Sequence, residues 1–341
     1  MNFLLKKQVI YISFLFQFAP LVAVEQRLRL ESADILENKL IENESVKFIS
    51  KNVVFRKGSL ILYCDEGRHY ESKGLAIMYQ NVNAVQNDQR LTCDTIKFFS
   101  KENKLLSIGN AKAWDNDYDL TADSLIVFTE KDSGVAIGNV KLVQKGQIIN
   151  ADRIEYQRDK TYDGISYTAI GNVTIRDSSR IAYCGSARYA RQEEITILEI
   201  DPKIKDDDRI LSGDKIKLTY YQEELKNLYI PKNAKAITPV TGFKKSPVDS
   251  IKYLNEIYFE DRLEGSELFS SFFNGSIKSI LISGMAKTTY HVFEDSIYRA
   301  KNNASGDTII MQFNDNELTQ LNIIGGSTGE YLPDSISNDI N

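Results

Sequence analysis

Histidine, proline and basic charge are all scarce in this 341-residue sequence. Its 2 histidines, His69 and His291, cannot build a zinc cluster, and neither has the sequence spacing of metal ligands. The 42 lysines and arginines are outnumbered by 47 aspartates and glutamates, so no basic excess points to nucleic acid. We therefore expect no metal, no cofactor and no nucleic-acid partner.

Long apolar runs are also missing, except at the N-terminus. Lys6 and Lys7 precede the apolar stretch Val9–Val22, and Ala23 ends a small-residue cleavage site. This pattern predicts a secretory signal peptide over residues 1–23. An uncleaved membrane anchor is the alternative, although the stretch is shorter than the roughly 20 residues that a span needs. No later segment of the sequence could cross a membrane as a helix.

What the sequence does have is a repeat. An aspartate that follows a small residue returns every 29 residues, and the register resumes after a four-residue insertion. An asparagine, often preceded by glycine, returns with the same period. A fixed period of this size indicates one supersecondary unit stacked many times. The corner positions are Asp65, Asp94, Asp123, Asp152 and Asp214 for the aspartate, and Asn110, Asn139 and Asn172 for the asparagine.

Hydrophobic periodicity indicates what the repeated unit is. On either side of Asp152 the apolar residues are spaced by two, as in a half-buried strand, but across it the phase slips by one. A bend, through a bulge or corner, keeps one face inward after such a slip. Short polar turns between the strands favour antiparallel neighbours. We predict an all-β fold, an extended bent antiparallel meander of 29-residue units, with a parallel β-helix as the alternative.

The same periodicity predicts which side chains face inward. Small residues before the corner aspartates would keep each bend narrow. In most proteins such inward positions pack against one another as a dry core. The predicted inner-face positions are Leu91, Ile96, Phe98, Leu120, Leu125, Val127, Ile149, Ile154, Tyr156, Leu211, Ile216 and Leu218.

The repeated aspartates have two interpretations. Stacked carboxylates bind calcium in β-roll proteins, but the glycine-rich nonapeptides of those proteins are absent here. The interpretation that we favour is structural, with each aspartate accepting backbone hydrogen bonds at its bend. We expect the corner asparagines to do the same.

Three cysteines suggest one disulfide and one spare thiol in an oxidising compartment. Cys64 and Cys93, however, hold equivalent places one repeat apart. With a strand between them they would lie about 9.6 Å apart, too far for a disulfide, whereas a parallel β-helix would make them neighbours. We therefore predict free, buried thiols.

The clarity of the repeat varies along the chain. Residues 24–237 are predicted to form one repeat domain, and residues 238–252, with two prolines and no alternation, a loop or hinge. Degenerate repeats follow over residues 253–331, and residues 332–341 are predicted to be a disordered tail. Gly325–Gly329 lacks the lysine and the helix of a phosphate loop, and we interpret it as the turn after the last strand.

Gly138-Asn139-Val140, followed by Ala151–Tyr156, recurs in weaker copies along the chain. With the N-terminal signal and the bent strands, these segments resemble the OstA-like lipopolysaccharide-transport family, which includes LptA-type and LptC-type proteins and the N-terminal domain of LptD-type proteins. The resemblance implies a β-jellyroll whose apolar inner face shields acyl chains, with lipopolysaccharide or a similar lipid as cargo. It also implies a periplasmic location, association with the outer membrane, and edge-strand pairing with other Lpt-type proteins or with further copies of this chain.

The function that we predict is therefore non-catalytic binding and transport of lipopolysaccharide toward the outer membrane, with acyl chains in an apolar trough between folded sheets. One alternative is a structural or adhesive β-solenoid with a closed core and no lipid ligand. Another is a polysaccharide-active β-helix enzyme, which should cluster carboxylates and aromatic residues on one outer face. The sequence shows no such cluster and no assignable nucleophile–base pair.

Overall fold

The computed structural model describes residues 28–334, apart from residues 117, 129–130, 132, 145, 160–163, 178–179, 191, 207, 223, 246–253 and 316. The predicted signal peptide and most of the predicted tail lie outside the described residues. Within the part that is described, no helix is long and apolar enough to span a membrane. Every regular element there is a β-strand.

The chain forms two compact units that divide within β12. The N-terminal unit holds the described residues up to 177 and residues 186–193; the C-terminal unit holds residues 180–185 and 194–334. The N-terminal unit contains β1 (Arg29–Ser32), β2 (Ile35–Ile41), β3 (Glu44–Lys57), β4 (Leu60–Tyr70), β5 (Leu75–Gln86), β6 (Gln89–Phe99), β7 (Lys104–Trp114), β8 (Tyr118–Phe128), β9 (Ser133–Gln144), β10 (Gln147–Asp159) and β11 (Gly164–Arg176). After β12 (Arg180–Ala190), the C-terminal unit continues with β13 (Ile195–Glu199), β14 (Lys203–Asp206), β15 (Arg209–Ser212), β16 (Lys215–Tyr221), β17 (Glu224–Ile230), β18 (Ala234–Lys245), β19 (Leu254–Gly265), β20 (Glu267–Phe273), β21 (Ser276–Glu294), β22 (Ile297–Asn314), β23 (Glu317–Ile324) and β24 (Thr328–Pro333).

The N-terminal unit is an antiparallel meander. Each strand from β3 to β10 pairs with the next one along the chain, and β1 and β2 both pair with β3. The connecting turns place Asn43, Gly58 and Asn87 at positive φ, where asparagine and glycine meet the least steric resistance. The predicted antiparallel topology is confirmed, and the parallel β-helix is wrong.

Two consecutive residues with positive φ bend the alternate strands β3, β5, β7, β9 and β11. In β9, for example, Gly138 and Asn139 have φ of 77° and 45°. Neighbouring strands lose register at the same level, as β7 and β8 do between Ile108 and Ala111. The slip in the hydrophobic pattern is therefore a bulge that turns the strand and keeps the same face inward.

The bends continue through the C-terminal unit, where most of them separate two strands. Ile200 and Asp201, between β13 and β14, have φ of 65° and 53°. Gly325 and Gly326, between β23 and β24, have φ of 75° and 56°. The prediction that Gly325–Gly329 is the turn after the last strand is wrong, because its glycines form a bend and β24 continues the pairing with β22.

Residues 238–245 of the predicted loop at 238–252 belong to strand β18 instead. The rest of the predicted loop lies outside the described residues. β18 pairs with β19 along its length, and Pro239 lies opposite Glu260. On its other side the register of β18 with β15 ends at Ile237. Proline is tolerated at such strand edges because no ladder needs its missing N–H. Composition alone could not reveal that edge.

Four strands of the C-terminal unit form a closed ring. The order β18, β19, β21, β22 is antiparallel throughout, and β22 returns to β18 through a parallel bridge between Phe243 and Ile297. Inside the ring Asp261 accepts hydrogen bonds from the backbone N–H and the ring Nδ1 of His291, each at 2.8 Å. The Phe259 ring stacks on the imidazole with centres 4.3 Å apart.

Candidate functional site

Nearly all of the predicted inner-face residues are buried. Leu91, Ile96 and Phe98 on β6 are 0% exposed, whereas Leu211 and Leu218 in the C-terminal unit are half-buried. The other buried members are Leu120, Leu125 and Val127 on β8, Ile149, Ile154 and Tyr156 on β10, and Ile216 on β16.

The bend gives each of the strands β3 to β11 two arms, and arms of the same kind pair. The arm Val53–Lys57 of β3 pairs with Leu60–Cys64, whereas Val46–Ser50 pairs with Glu66–Tyr70. The two kinds of arm face each other across the interior. A methyl group on Gly67, on one arm, would stand only 3.3 Å from the Phe55 ring, on the other.

The interior between the arms is closed in this structure. Because the inner side chains of one arm pack on those of the other, they have little or no exposed surface. The predicted trough is therefore apolar but not open. A ligand could enter it only if the arms moved apart.

The described part of this interior contains no buried charged side chain. Its buried polar residues are Gln86, Gln89, Ser107 and Gln144. The Ser107 hydroxyl donates a hydrogen bond to the Leu125 carbonyl oxygen at 3.3 Å. An interior without ionised groups can hold hydrocarbon without leaving a charge desolvated.

The corner residues pair across the bends. Nδ2 of each asparagine donates a hydrogen bond to the carboxylate on the preceding strand, as Asn139 does to Asp123 at 3.1 Å. The equivalent pairs are Asn52 with Asp34, Asn81 with Asp65, Asn110 with Asp94, Asn172 with Asp152, and Asn233 with Asp214.

This arrangement corrects the prediction that the corner carboxylates accept backbone hydrogen bonds. The hydrogen bonds between these carboxylates and the next strand come from side-chain amides, because the left-handed conformation of each asparagine turns its amide toward the neighbouring aspartate. The aspartate backbone N–H donates instead, as that of Asp214 does to the Lys232 carbonyl at 3.1 Å. Among the residues described, no group of three or more His, Cys, Asp or Glu side chains is placed to hold a metal ion.

The sequence pattern places Gly185 in the register of the corner aspartates, but sequence reasoning missed Ile200, its partner at this bend. The Gly185 N–H donates to the Ile200 carbonyl at 2.8 Å, so glycine holds the usual aspartate position. Ile200 holds the left-handed position that glycine fills in β7, β9 and β11, although β-branched residues resist positive φ. The signal was available, because Ile200 follows Gly171 by the 29-residue period.

The three thiols are free and buried, as predicted. Burial raises the pKa of the Cys64 and Cys93 thiols to about 12. A thiol held protonated in this way is a poor nucleophile. These cysteines therefore act as small core residues.

The described sheet has two edges, and at each edge two short strands on either side of a bend share a single neighbour. β1 and β2 pair with β3, and β23 and β24 pair with β22. Exposed apolar side chains follow both edges, including Leu36 and Leu40 on β2 and Leu321 on β23. Such edges are templates for the addition of another strand.

Comparison with known proteins gave two family matches. A family model described as LptA/(LptD N-terminal domain) LPS transport protein matches residues 119–224, and one described as OstA-like protein matches residues 25–110. One similar solved structure is LptH, the LptA homologous periplasmic component of the conserved lipopolysaccharide transport device from Pseudomonas aeruginosa. It is 20% identical, with a TM-score of 0.27, over 29% of this chain and 75% of that chain. No curated protein gave a significant match.

Proposed function

This chain belongs to the OstA/LptA-like family, and on that premise we propose that it binds lipopolysaccharide or a similar amphiphile in the periplasm and carries it toward the outer membrane. The acyl chains lie between the two arms of the N-terminal unit, and the polar headgroup stays in water. The protein performs no catalysis in this role.

The observation that carries this proposal is the uncharged interior of the N-terminal unit. Leu91, Leu120 and Ile149 belong to alternate strands of one continuous apolar face. Neighbouring strands lie about 4.8 Å apart, so the strands β3 to β11 extend this face over roughly 40 Å. Along that length a hydrocarbon chain would meet mostly apolar side chains and no buried charged one among the described residues.

The closed packing sets the energetics of loading. Parting the arms exposes side chains that now cover each other, and an acyl chain that takes their place covers them again. Each buried methylene contributes about 0.8 kcal/mol, so the exchange recovers much of what the separation costs. Loading therefore replaces one apolar contact by another.

Transfer between carriers uses the two edges. The exposed apolar side chains of β2 and β23 suit pairing with edge strands of other Lpt-type proteins or of further copies of this chain. Such pairing would continue the apolar interior from one protein into the next. We propose this as the route by which the lipid is passed on.

A structural role without a ligand is the competing function. One observation favours it, namely that the inner side chains already fill the interior. A β-solenoid with such a core would need no lipid for its stability. The two functions differ in whether the arms ever part.

Site-specific photo-crosslinking to labelled lipopolysaccharide distinguishes the two functions. A photo-reactive amino acid replaces inward-facing Ile96 or Ile154 in one set of variants and outward-facing Lys97 or Arg153 in the control set. We expect adducts from the inward set alone. An absence of adducts from both sets, in variants shown to be folded by circular dichroism, would support the structural solenoid.

A further inference from the structure

Three buried glutamines lie on the inner face of the N-terminal unit beside its hairpin turns. Gln86 ends β5 directly opposite Gln89, which begins β6, and Gln144 ends β9 opposite Tyr118. These glutamines are only 2%, 6% and 5% exposed, respectively. They continue the inward alternation of their strands but occupy the arm ends, far from the bends.

The free ends of the two kinds of arm meet along a line that we call the seam. Lys57, at the end of β3, reaches across it: its Nζ donates to Asn103 Oδ1 at 2.7 Å and lies 5.2 Å from the centre of the Phe98 ring. In the described register no strand pairs with another across the seam. The arms can therefore part along this line without breaking a backbone ladder.

The glutamine amides at the seam are incompletely hydrogen-bonded. Among the described residues, Oε1 of Gln86, Oε1 of Gln89 and both amide atoms of Gln144 have no partner. A buried polar atom without a partner costs about 1–3 kcal/mol, and natural interiors keep few of them. Four such atoms on one face, within five neighbouring strands, call for a ligand that hydrogen-bonds to them.

We propose that the seam is a subsite for the junction between the acyl chains and the headgroup of an amphiphile that offers N–H and O–H donors, such as an amide-linked, hydroxylated glycolipid. This inference rests on the proposed function. The acyl chains lie between the parted arms, and Gln86, Gln89 and Gln144 hydrogen-bond to the junction at the seam.

The glutamine amide atoms without partners indicate which hydrogen-bonding groups the junction should carry. Three of the four free atoms are amide oxygens, which accept hydrogen bonds, and one is the Gln144 nitrogen, which donates. A secondary amide beside hydroxyl groups supplies the matching donors and also an acceptor. A diacyl phosphatidylcholine carries ester carbonyls and no N–H or O–H donor, so it would leave the three oxygens without partners.

The test compares two soluble probes with ten-carbon chains, measured by isothermal titration calorimetry. N-decanoylglucosamine carries a secondary amide and hydroxyls, whereas decylphosphocholine carries no hydrogen-bond donor. Wild-type protein is expected to prefer the first probe. The preference is measured as the dissociation constant of decylphosphocholine divided by that of N-decanoylglucosamine. In Gln144→Leu this ratio is expected to fall about tenfold, the equivalent of one net hydrogen bond. Lys141→Gln, on the outer face of the same strand, is the matched control.

A second readout separates binding from a structural role. If Gln144 serves the ligand, Gln144→Leu removes an unpaired amide and leaves the melting temperature of the lipid-free protein unchanged or higher. A lowered melting temperature with an unchanged probe ratio would overturn the proposal, and Gln86→Leu repeats the test if the first variant fails to fold. If wild-type protein binds neither probe, the proposed function itself fails. If wild-type protein binds both probes without preference, the proposal of a subsite at the seam fails, but the proposed function does not.

Discussion

The carboxylate of Asp123 occupies the space that a side chain on Gly138 would need. A Cβ atom on Gly138 would lie 2.1 Å from Asp123 Oδ2, and the φ of this glycine is 77°. Gly109 stands in the same relation to Asp94, and Gly171 to Asp152. Two separate constraints therefore require glycine at these three positions: the left-handed backbone conformation, and the neighbouring carboxylate that leaves no room for a side chain.

Gly138→Ala is expected to destabilise the N-terminal unit. The left-handed conformation costs an alanine about 1–2 kcal/mol, and turning Asp123 aside forfeits its hydrogen bond from Asn139, for a total of about 2–3 kcal/mol. Urea unfolding followed by circular dichroism measures the change. Gly329→Ala is the control, since a Cβ there meets nothing within 4 Å. Equal effects of the two substitutions would show that the corner imposes no special constraint.

Ile200→Gly is expected to stabilise the protein by about 1 kcal/mol. It relieves a β-branched residue at a φ of 65° and removes a side chain that is already 64% exposed. Thermal unfolding should show a higher melting temperature. Glu199→Gly, one residue earlier in extended β13, is the control and should lower stability by about 0.5–1 kcal/mol. A lower melting temperature for Ile200→Gly would mean that its side chain contributes more than the strain costs.

The native thiols are expected to resist alkylation. Because burial raises the pKa of Cys64 and Cys93 to about 12, almost no thiolate forms at pH 8. N-ethylmaleimide labelling followed by mass spectrometry should be at least about 100-fold slower in the folded protein than in urea. Lys141→Cys provides an exposed thiol as the positive control. A Cys64–Cys93 disulfide in purified protein would contradict the antiparallel pairing.

Mild acid is expected to weaken the N-terminal unit through His69. Burial lowers the pKa of His69 below 6.5, and Lys47 adds to this effect, whereas the nearby Glu71 carboxylate partly opposes it. The unfolded state then binds a proton more readily than the folded state, so stability is lost as the pH falls from about 7 through the folded pKa. Denaturant unfolding of wild type and His69→Gln between pH 7 and pH 5 should show a smaller loss for the variant.

Three ion-paired carboxylates of the same unit contribute their pH dependence below pH 5, outside the range of this experiment. Hydrogen bonds from Arg56, Lys73 and Lys47 lower the pKa values of Glu31, Glu44 and Glu71 from 4.5, so their stabilising contributions are lost only at more acidic pH. Parallel stability curves for wild type and His69→Gln above pH 5 would contradict a role for this histidine.

Local pattern predicted most of the fold. The one-residue slip at Asp152 indicated a bend because side-chain direction in a strand alternates with a period of two. The same reasoning failed at Pro239, where the composition suggested a loop and the structure has an edge of β18. It also missed Gln86 and Gln144, which continue the inward alternation but are polar. The period-two pattern of a strand predicts which face of the sheet a residue lies on, but it does not predict which residues it contacts there.

The sequence by itself determined the repeat, the antiparallel bent strands and the uncharged inner face, since each follows from the spacing of neighbouring residues. Only the tertiary structure decided that the interior is closed and that the glutamine amide atoms without partners lie along a seam. Contacts such as Phe55 against Gly67, or Lys57 with Asn103, join arms whose distance depends on every side chain packed between them. That packing is a property of the whole fold, because a fully buried side chain in a close-packed interior depends on all of its neighbours.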